Sequence, residues 1–582
     1  MIAKYRLEII IASILLVFVF GVLVLSAVPP VSRDALTHHL AVPKLWLKSG
    51  GMTEIPTVVF SYYPMNLDLL YLIPLYFGND IIPKYIHFAF ALLTAWLIFA
   101  FLKERTSKTH YGLLGALLFL SLPVILKLSI TVYVDLGLVF FSTAALLYIL
   151  KWVASGNQTR YLLLAGLFCG LGLGTKYNSL ISFFLLTCFI PVLYLRAHLQ
   201  PDEVADGSAA TNRPQKSTGP ATSLRALQAA ALFVLVSLLV FSPWMIRNLV
   251  WTGNPIYPLY QKAFNTFQPG IAEAEPVAGS AGEQGFESSS RRLGHFALRK
   301  RVFDETFLEL MTTPLRIFFQ GQDDNPKYFD GQLNPYLFLL PFLTIIGFKR
   351  LSKQHKRENL ALLSFAVLFL LYTFLQVDMR IRYIAPIIPP LVILAVVGLH
   401  QTDTWIRQKY NGTGRRVGFG VVAAAVVGLL TINALYLVKQ FRYVDPISYL
   451  SGKIGRDDYI KKYRNEYPAI QYINRDLPPD TRLLALYLGK RIYYSDREIV
   501  SNDALFKMLI AAAPSGDALA ESMQSRDFTH LLIRADYFKY FIFDYLSNEK
   551  RRVFYDFLKT RTTLLFSADV YHVYEIKAAG YL

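Results

Sequence analysis

Long apolar runs recur along most of this chain, and each run of about 18 residues or more can cross a bilayer as a helix. With 54% of its 582 residues hydrophobic, the chain is too apolar for a soluble protein of this length. Backbone polar groups in lipid must be satisfied within the segment, so these runs are helices rather than irregular chain. About eleven spans are expected. They lie near residues 9–27, 86–102, 111–125, 134–150, 161–174, 180–195, 226–246, 335–348, 360–374, 384–399 and 417–438. The first follows Lys4 and Arg6 and is longer than the apolar core of a secretory signal, so it reads as an uncleaved signal anchor.

The formal net charge is +18. In a soluble protein this would suggest nucleic acid, but no nucleic-acid motif accompanies it, and the cations gather in short loops between spans. One loop holds Lys103, Glu104, Arg105 and Lys108, another Lys349, Arg350, Lys353, Lys356 and Arg357, and a third Arg407, Lys409, Arg415 and Arg416. All three fall on the side of Lys4 and Arg6, which the positive-inside rule makes cytoplasmic. An odd number of spans then leaves the C-terminus extracytoplasmic, in a multi-pass protein of the plasma (inner) membrane. Cys169 and Cys188 both lie inside apolar runs and are read as buried core thiols.

The fold class expected is a polytopic α-helical membrane protein with a C-terminal soluble α/β domain. Residues 1–440 form the membrane module, with a long first extracytoplasmic loop at 28–85. A polar flexible linker is expected at 196–225, and a mobile Gly/Ala/Glu/Ser-rich stretch at 272–290. Beyond residue 441 the long runs give way to short ones at 483–487, 491–494 and 529–533, read as strands. Amphipathic patterns at 459–474 and 548–559 are read as helices. No inverted pair of half-sequences of the kind many transporters carry is visible.

Chemistry centres on Arg33-Asp34-Ala35-Leu36-Thr37-His38-His39, just past the first span. A short helix capped by Ser32 would place Asp34 and His38 on one face. Leu36, Leu40 and Trp46 would then turn toward the membrane surface. Asp34 could serve only to complement the helix dipole. Asp and His at this spacing also suit general base chemistry, one group taking a proton while the other orients or shares it. They would supply just two ligands to a metal. His39 reads as a hydrogen-bonded neighbour. Lys127, Lys176, Arg247 and Arg382, with Asp135, cluster at the outer ends of the spans. Ionisable groups at that depth usually face a cavity or each other, and several cations beside a carboxylate suit an anionic lipid headgroup. Tyr62, Tyr63, Trp244, Trp251, Tyr257 and Tyr260 form an outer aromatic belt from which a few side chains could stack on a sugar.

Taken in order, these motifs resemble the GT-C class of polytopic glycosyltransferases, nearest to bacterial relatives of protein O-mannosyltransferases and of the lipid A aminoarabinose transferase. The resemblance rests on Arg33–Leu40, Tyr63–Leu70, Asp135 and Gly174-Thr175-Lys176-Tyr177. It extends to Pro243–Asn248 with Thr252–Pro258, and to Arg382-Tyr383-Ile384-Ala385-Pro386. It implies an inverting transfer, outside the membrane, from a polyprenyl-phosphate sugar donor to a lipid, glycan or protein acceptor. It implies that Asp34 activates the acceptor, that Lys176 and Arg382 hold the lipid phosphate and that Asp135 orders the site. His38, His39, Tyr63, Tyr177 and Arg247 are the further substrate-binding candidates. Members of the class often carry Asp-Glu where this chain has Asp34-Ala35, and an aromatic at the position of His38-His39, which leaves the acceptor class and a divalent cation open. The competing reading is a transporter or flippase of a lipid-linked saccharide.

Overall fold

The computed structural model describes residues 5–199, 220–264, 295–375 and 379–577. Eight of its helices are long and apolar enough to cross a membrane: Arg6–Ser26, Ile82–Thr106, Asp135–Ala154, Ser179–His198, Pro220–Thr252, Lys353–Phe374, Ile381–Lys409 and Gly412–Val444. The expected span at 111–125 is two helices, Thr109–Ser121 and Pro123–Ser129, bent by 68° and making a ninth crossing if taken together. Pro123 causes the break, because it lacks the N–H that would continue the ladder. The expected spans at 161–174 and 335–348 are the shorter apolar helices Thr159–Leu173 and Tyr336–Ile345. Their length falls short of a bilayer's hydrocarbon core.

Burial ranks these helices. Ile381–Lys409 is 89% buried over its apolar window and Asp135–Ala154 78%, whereas Gly412–Val444 is 17% buried. The first two form the centre of the bundle, and each carries in its first turn a charged residue that the sequence singled out, Arg382 and Asp135. Small residues let neighbours approach them closely. A Cβ on Gly398 of Ile381–Lys409 would come 2.9 Å from the Leu340 carbonyl, and one on Gly137 of Asp135–Ala154 would come 2.6 Å from Leu67 Cδ2.

The three basic loops meet at one end of the bundle. The Arg105 guanidinium pairs with Glu358 and donates to Asn359 Oδ1 at 2.9 Å, and Arg350 donates to Gln408 at 2.6 Å. Lys108 lies 3.8 Å from Asp403, and His110 lies 3.4 Å from Glu8 of the first helix. The loops that orientation reasoning placed together are therefore in contact.

Three sequence expectations need correction here. The linker expected at 196–225 is helical at both ends, since Ser179–Leu199 and Pro220–Thr252 run into it. Arg196, Ala197 and Leu199 at one end and Leu224, Arg225 and Ala226 at the other are strong helix formers, so each helix runs on into the polar stretch. Residues 200–219 between them, and the stretch 272–290, lie outside the described residues. Cys169 is buried, but Cys188 is exposed on the outside of its helix. The segment 491–494 is a loop.

The tail builds a five-stranded sheet from β1 (Arg482–Leu486), β2 (Glu498–Ser501), β3 (His530–Arg534), β4 (Thr562–Ala568) and β5 (Tyr571–Ile576), in the order β2-β1-β3-β5-β4. β1 pairs in parallel with both β2 and β3, while β5 is antiparallel to β3 and β4. Parallel neighbours require crossovers, and the helices Asp503–Ala512 and Gly516–Gln524 supply the one between β2 and β3. Leu484, Leu486, Leu531 and Ile533 face one core with Phe506, Phe538 and Phe554. Leu483, Ala485 and Leu532 face a second with Ile470 and Ile473 of the helix Tyr467–Asp476. Burial on both faces explains why β1 and β3 read as short unbroken apolar runs.

Candidate active site

The first loop folds back into the bundle rather than lying on a membrane surface. Ala35–His39 is one π-helical turn, closed by Leu40 N–H donating to the Ala35 carbonyl at 2.9 Å, and the helix Ala41–Lys48 follows. Single π turns of this kind are frequent at functional sites. The expected interfacial helix is overturned, because Leu36, Leu40 and Trp46 are 2%, 0% and 2% exposed within the protein. The Trp46 indole N–H donates to the Thr53 carbonyl at 3.0 Å. The turn is pinned from above by the tail. Tyr493 N–H donates to the Leu36 carbonyl at 3.1 Å, the Tyr494 hydroxyl donates to the Pro30 carbonyl at 2.7 Å, and Arg464 donates to the Val31 carbonyl. Lys44 reaches up to the Tyr493 and Ser495 carbonyls, both at 2.9 Å. The segment 491–494, read as a strand, is thus the loop with which the α/β domain grips the first loop.

Asp34 stands at the start of this turn, and Arg382 donates to its Oδ2 at 2.5 Å. Burial by itself would raise the Asp34 carboxyl, but the charge of Arg382, helped by His38 and His39, outweighs it. The carboxyl is held well below the usual carboxylate range. Arg382 lies in the first turn of the central helix Ile381–Lys409, with its guanidinium 5.1 Å from the Tyr133 ring and 5.2 Å from the Tyr383 ring. Its Nε is buried without a partner.

Asp135 opens the other central helix, and Lys176 donates to its Oδ1 at 2.7 Å. Asp135 Oδ2 is buried with no hydrogen-bond partner. The Lys176 ammonium also lies 5.3 Å from the Tyr383 ring. Tyr383 therefore joins the two ion pairs, and the site sits where the two most buried helices begin. Helix N-termini and two cations together make this corner suited to an anion. His87 fixes it from behind. Its Nδ1 lies 3.0 Å from the Leu128 and Thr131 carbonyls, which makes Nδ1 the donor, and its Nε2 accepts from Leu136 N–H at 3.0 Å. The imidazole thereby serves as a cap for the Asp135 helix.

His38 stacks on Phe60 at 4.3 Å between ring centroids, with His39 4.0 Å away on a tilted plane. His39 Nδ1 meets Asp68 Oδ1 at 2.7 Å, and both side chains are buried. His39 is the hydrogen-bonded neighbour the sequence suggested, and Asp68 is its partner. Tyr177 and Arg247 belong to an adjoining cluster. The Tyr177 hydroxyl donates to the Tyr257 carbonyl at 3.0 Å, and its ring lies 5.3 Å from that of Tyr63. Arg247 donates to the Tyr62 and Tyr63 carbonyls at 2.7 and 3.2 Å, and lies 4.5 and 4.8 Å from the Trp244 and Trp251 rings. Its Nη1 is buried without a partner. Asn66 joins the two clusters, accepting from the Trp244 indole at 2.7 Å and donating to the Leu171 carbonyl at 3.1 Å.

Lys127 does not join this group. Its ammonium faces Asp323, Asp324 and Asp330 at 3.6, 3.2 and 4.0 Å. Among the described residues no three His, Cys, Asp or Glu side chains converge as a metal site. Sequence reasoning passed over His87 and Tyr133, and assigned no role to Asp68 or Tyr383, which it quoted only within longer motifs. His87 was detectable as an ionisable group inside an apolar span, while the two tyrosines blend into the general aromatic content.

This is the GT-C fold, in a multi-pass membrane protein. Residues 70–200 match the family model described as dolichyl-phosphate-mannose-protein mannosyltransferase. The structure is similar to ArnT from Cupriavidus metallidurans bound to undecaprenyl phosphate, at 14% identity and a TM-score of 0.55, covering 99% of each chain. The apo state of that protein gives a TM-score of 0.54 at 14% identity, over 98% of each chain. The archaeal oligosaccharyltransferase AglB from Archaeoglobus fulgidus, in complex with an inhibitory peptide and a dolichol-phosphate, gives 0.50 at 13% identity, over 92% of this chain and 70% of that one. Comparison with curated protein sequences gives no match.

Proposed function

We propose that the protein is a membrane glycosyltransferase. In this reading it moves a sugar from a polyprenyl-phosphate donor to a lipid, glycan or protein acceptor on the extracytoplasmic face of the plasma membrane. The observation that carries the proposal is the pair of ion pairs, Asp34–Arg382 and Asp135–Lys176, joined across Tyr383. Asp34 acts as base toward the acceptor hydroxyl or amine. The acceptor attacks the anomeric carbon opposite the phosphate, which inverts that centre as the carbon–oxygen bond to phosphate breaks. The leaving phosphate monoester carries more negative charge than the diester. Arg382 and Lys176 therefore stabilise it more in the transition state than in the bound donor, as groups that speed the step must. The orphaned Nε of Arg382 and Nη1 of Arg247 are N–H donors of the kind a phosphate would satisfy. The undecaprenyl phosphate of the similar ArnT structure and the dolichol-phosphate of the similar AglB structure support a donor built on a polyprenyl phosphate.

The test uses purified protein in detergent or nanodiscs with undecaprenyl-phosphate-linked hexoses and pentoses. Lipid A, a serine/threonine peptide and a free glycan serve as acceptors, and release of undecaprenyl phosphate is measured. Asp34→Asn keeps the shape and removes the base, so turnover should fall by about 100-fold or more while undecaprenyl phosphate binding survives. Translocation of the lipid-linked sugar with no release, across all acceptors, would decide for the transporter.

A further inference from the structure

Residues 299–319 are built inside out. The side chains of Arg299, Glu305 and Arg316 are 1%, 0% and 10% exposed. Arg299 donates to both Glu305 oxygens, from Nε at 2.6 Å and from Nη2 at 2.7 Å, and Arg316 Nη1 donates to Glu305 Oε1 at 3.2 Å. Glu305 leads into the short helices Phe307–Met311 and Thr313–Arg316. Leu310, Ile317 and Phe318 are buried against the protein, whereas Phe307, Leu308, Met311, Leu315 and Phe319 are 43% to 77% exposed. Positions 307, 311, 315 and 319 are four apart, and Leu308 stands three before Met311, so on a helical path they form one stripe. The segment's other charge, Glu309, is folded back onto Thr306, accepting from its N–H at 2.8 Å and from its hydroxyl at 2.9 Å. Lys300, Arg301 and Asp304, just before the segment, are exposed. In water the order is the reverse, with charges outside and large apolar side chains within. Paired charges turned inward beneath an apolar exterior are what lipid imposes.

The stripe is continuous with the outer surface of the bundle. The Phe319 ring lies 5.9 Å from that of Phe338, which lies 5.2 Å from that of Phe342. Phe342 belongs, with Leu339 and Ile345, to an exposed row on the apolar helix Tyr336–Ile345. That helix runs to the basic loop at Lys349. Its four α-helical and six 3-10 residues rise roughly 18 Å at most, which leaves about 12 Å of a hydrocarbon core about 30 Å thick. The segment packs on Phe338, at the far end of this helix, where that depth is left over. We propose that the stripe Phe307, Leu308, Met311, Leu315 and Phe319 is embedded in the acyl chains of the leaflet away from the basic loops. Residues 307–319 are then a membrane-docked part of an outer loop, and Lys300, Arg301 and Asp304 lie at headgroup level. The docking also ties the bilayer to the candidate site. The buried Phe329 ring lies 5.0 Å from the Arg299 guanidinium and 5.8 Å from that of Arg316. The Phe329 carbonyl accepts from Ile381 N–H at 2.9 Å, one residue before Arg382. The lipid-held segment thus bears on the turn that carries Arg382.

The test places a polarity-sensitive fluorophore on the full-length protein at Leu308→Cys and, separately, at Leu315→Cys. The background is Cys188→Ser, since Cys188 is exposed and Cys169 is buried. The protein is reconstituted in vesicles of phosphatidylcholine and phosphatidylglycerol that carry a lipid with a nitroxide on its acyl chain, and iodide is the aqueous quencher. Leu363→Cys, exposed on the span Lys353–Phe374, is the lipid-facing control, and Tyr555→Cys, exposed on the α/β domain, is the water-facing one. Both labels should emit as far to the blue as Leu363→Cys. The nitroxide lipid should quench them as strongly as that control, and iodide far less than it quenches Tyr555→Cys. Two positions keep the test open if one substitution prevents folding. Iodide quenching at the level of Tyr555→Cys would overturn the proposal, because the segment would then stand in water. Shielding from both quenchers would overturn it too, because protein rather than lipid would then cover the stripe.

Discussion

Replacing Arg382 tests the site most directly, because this one side chain holds Asp34, two rings and, in the proposed reaction, the phosphate. It makes a charge-assisted hydrogen bond to Asp34 at 2.5 Å, a class worth about 1.5–3 kcal/mol. It adds two ring contacts at 5.1 and 5.2 Å, each about 0.5–1 kcal/mol. The sum is about 2.5–5 kcal/mol, so Arg382→Met should reduce kcat/KM by roughly 60- to 4,000-fold, taking about 1.4 kcal/mol per tenfold. Arg382→Lys keeps a point charge but loses the planar fork and the stacking faces. A loss of roughly tenfold is expected there. The pH profile gives a second readout. In the wild type the Asp34 carboxyl lies well below the usual range, so it contributes no acid limb above about pH 4. Without Arg382, burial, which raises the carboxyl, is no longer outweighed by that charge. The limb should move to higher pH, with activity lost as pH falls through it. Undecaprenyl phosphate release, followed from pH 4 to 9, checks both. If Arg382→Met stays within threefold of wild type with an unshifted profile, the guanidinium holds neither the base nor the leaving group.

Two further outcomes follow from geometry elsewhere. A Cβ at Gly174 would sit 2.2 Å from Asn66 Nδ2, so Gly174→Ala should displace the amide that joins Trp244 to the Leu171 carbonyl. A loss of about 1–3 kcal/mol of stability and a lower Tm in detergent are expected, and an unchanged Tm would show that Asn66 yields freely. A periplasmically active reporter fused after Leu582 should be active and the same reporter at Lys353 silent, and the reverse pattern would place Asp34 in the cytoplasm.

Much of the architecture was legible because its signals are local. A run of apolar residues long enough for a bilayer needs no partner to be recognised, and β1 and β3 announce themselves as short apolar runs between turns. Asp34, Asp135, Lys176 and Arg382 were legible as charges at the ends of such runs, since a charge there demands a reason. What the sequence determined by itself is therefore the membrane class, the order of the helices, the presence of an α/β tail and the set of charged groups to suspect. Pairing is not local. Asp34 and Arg382 are 348 positions apart, and Lys176 and Asp135 are 41 apart. Only the packing of the two central helices decided that these cations form one site and that Lys127 belongs elsewhere, with its three aspartates. The tertiary structure also decided the fate of the 35–48 segment. Its apolar side chains suit a membrane surface equally well, but the tail's hydrogen bonds to the Leu36, Pro30 and Val31 carbonyls hold it inside the protein. Backbone acceptors carry no sequence signature, so contacts of this kind appear only when the chain is folded.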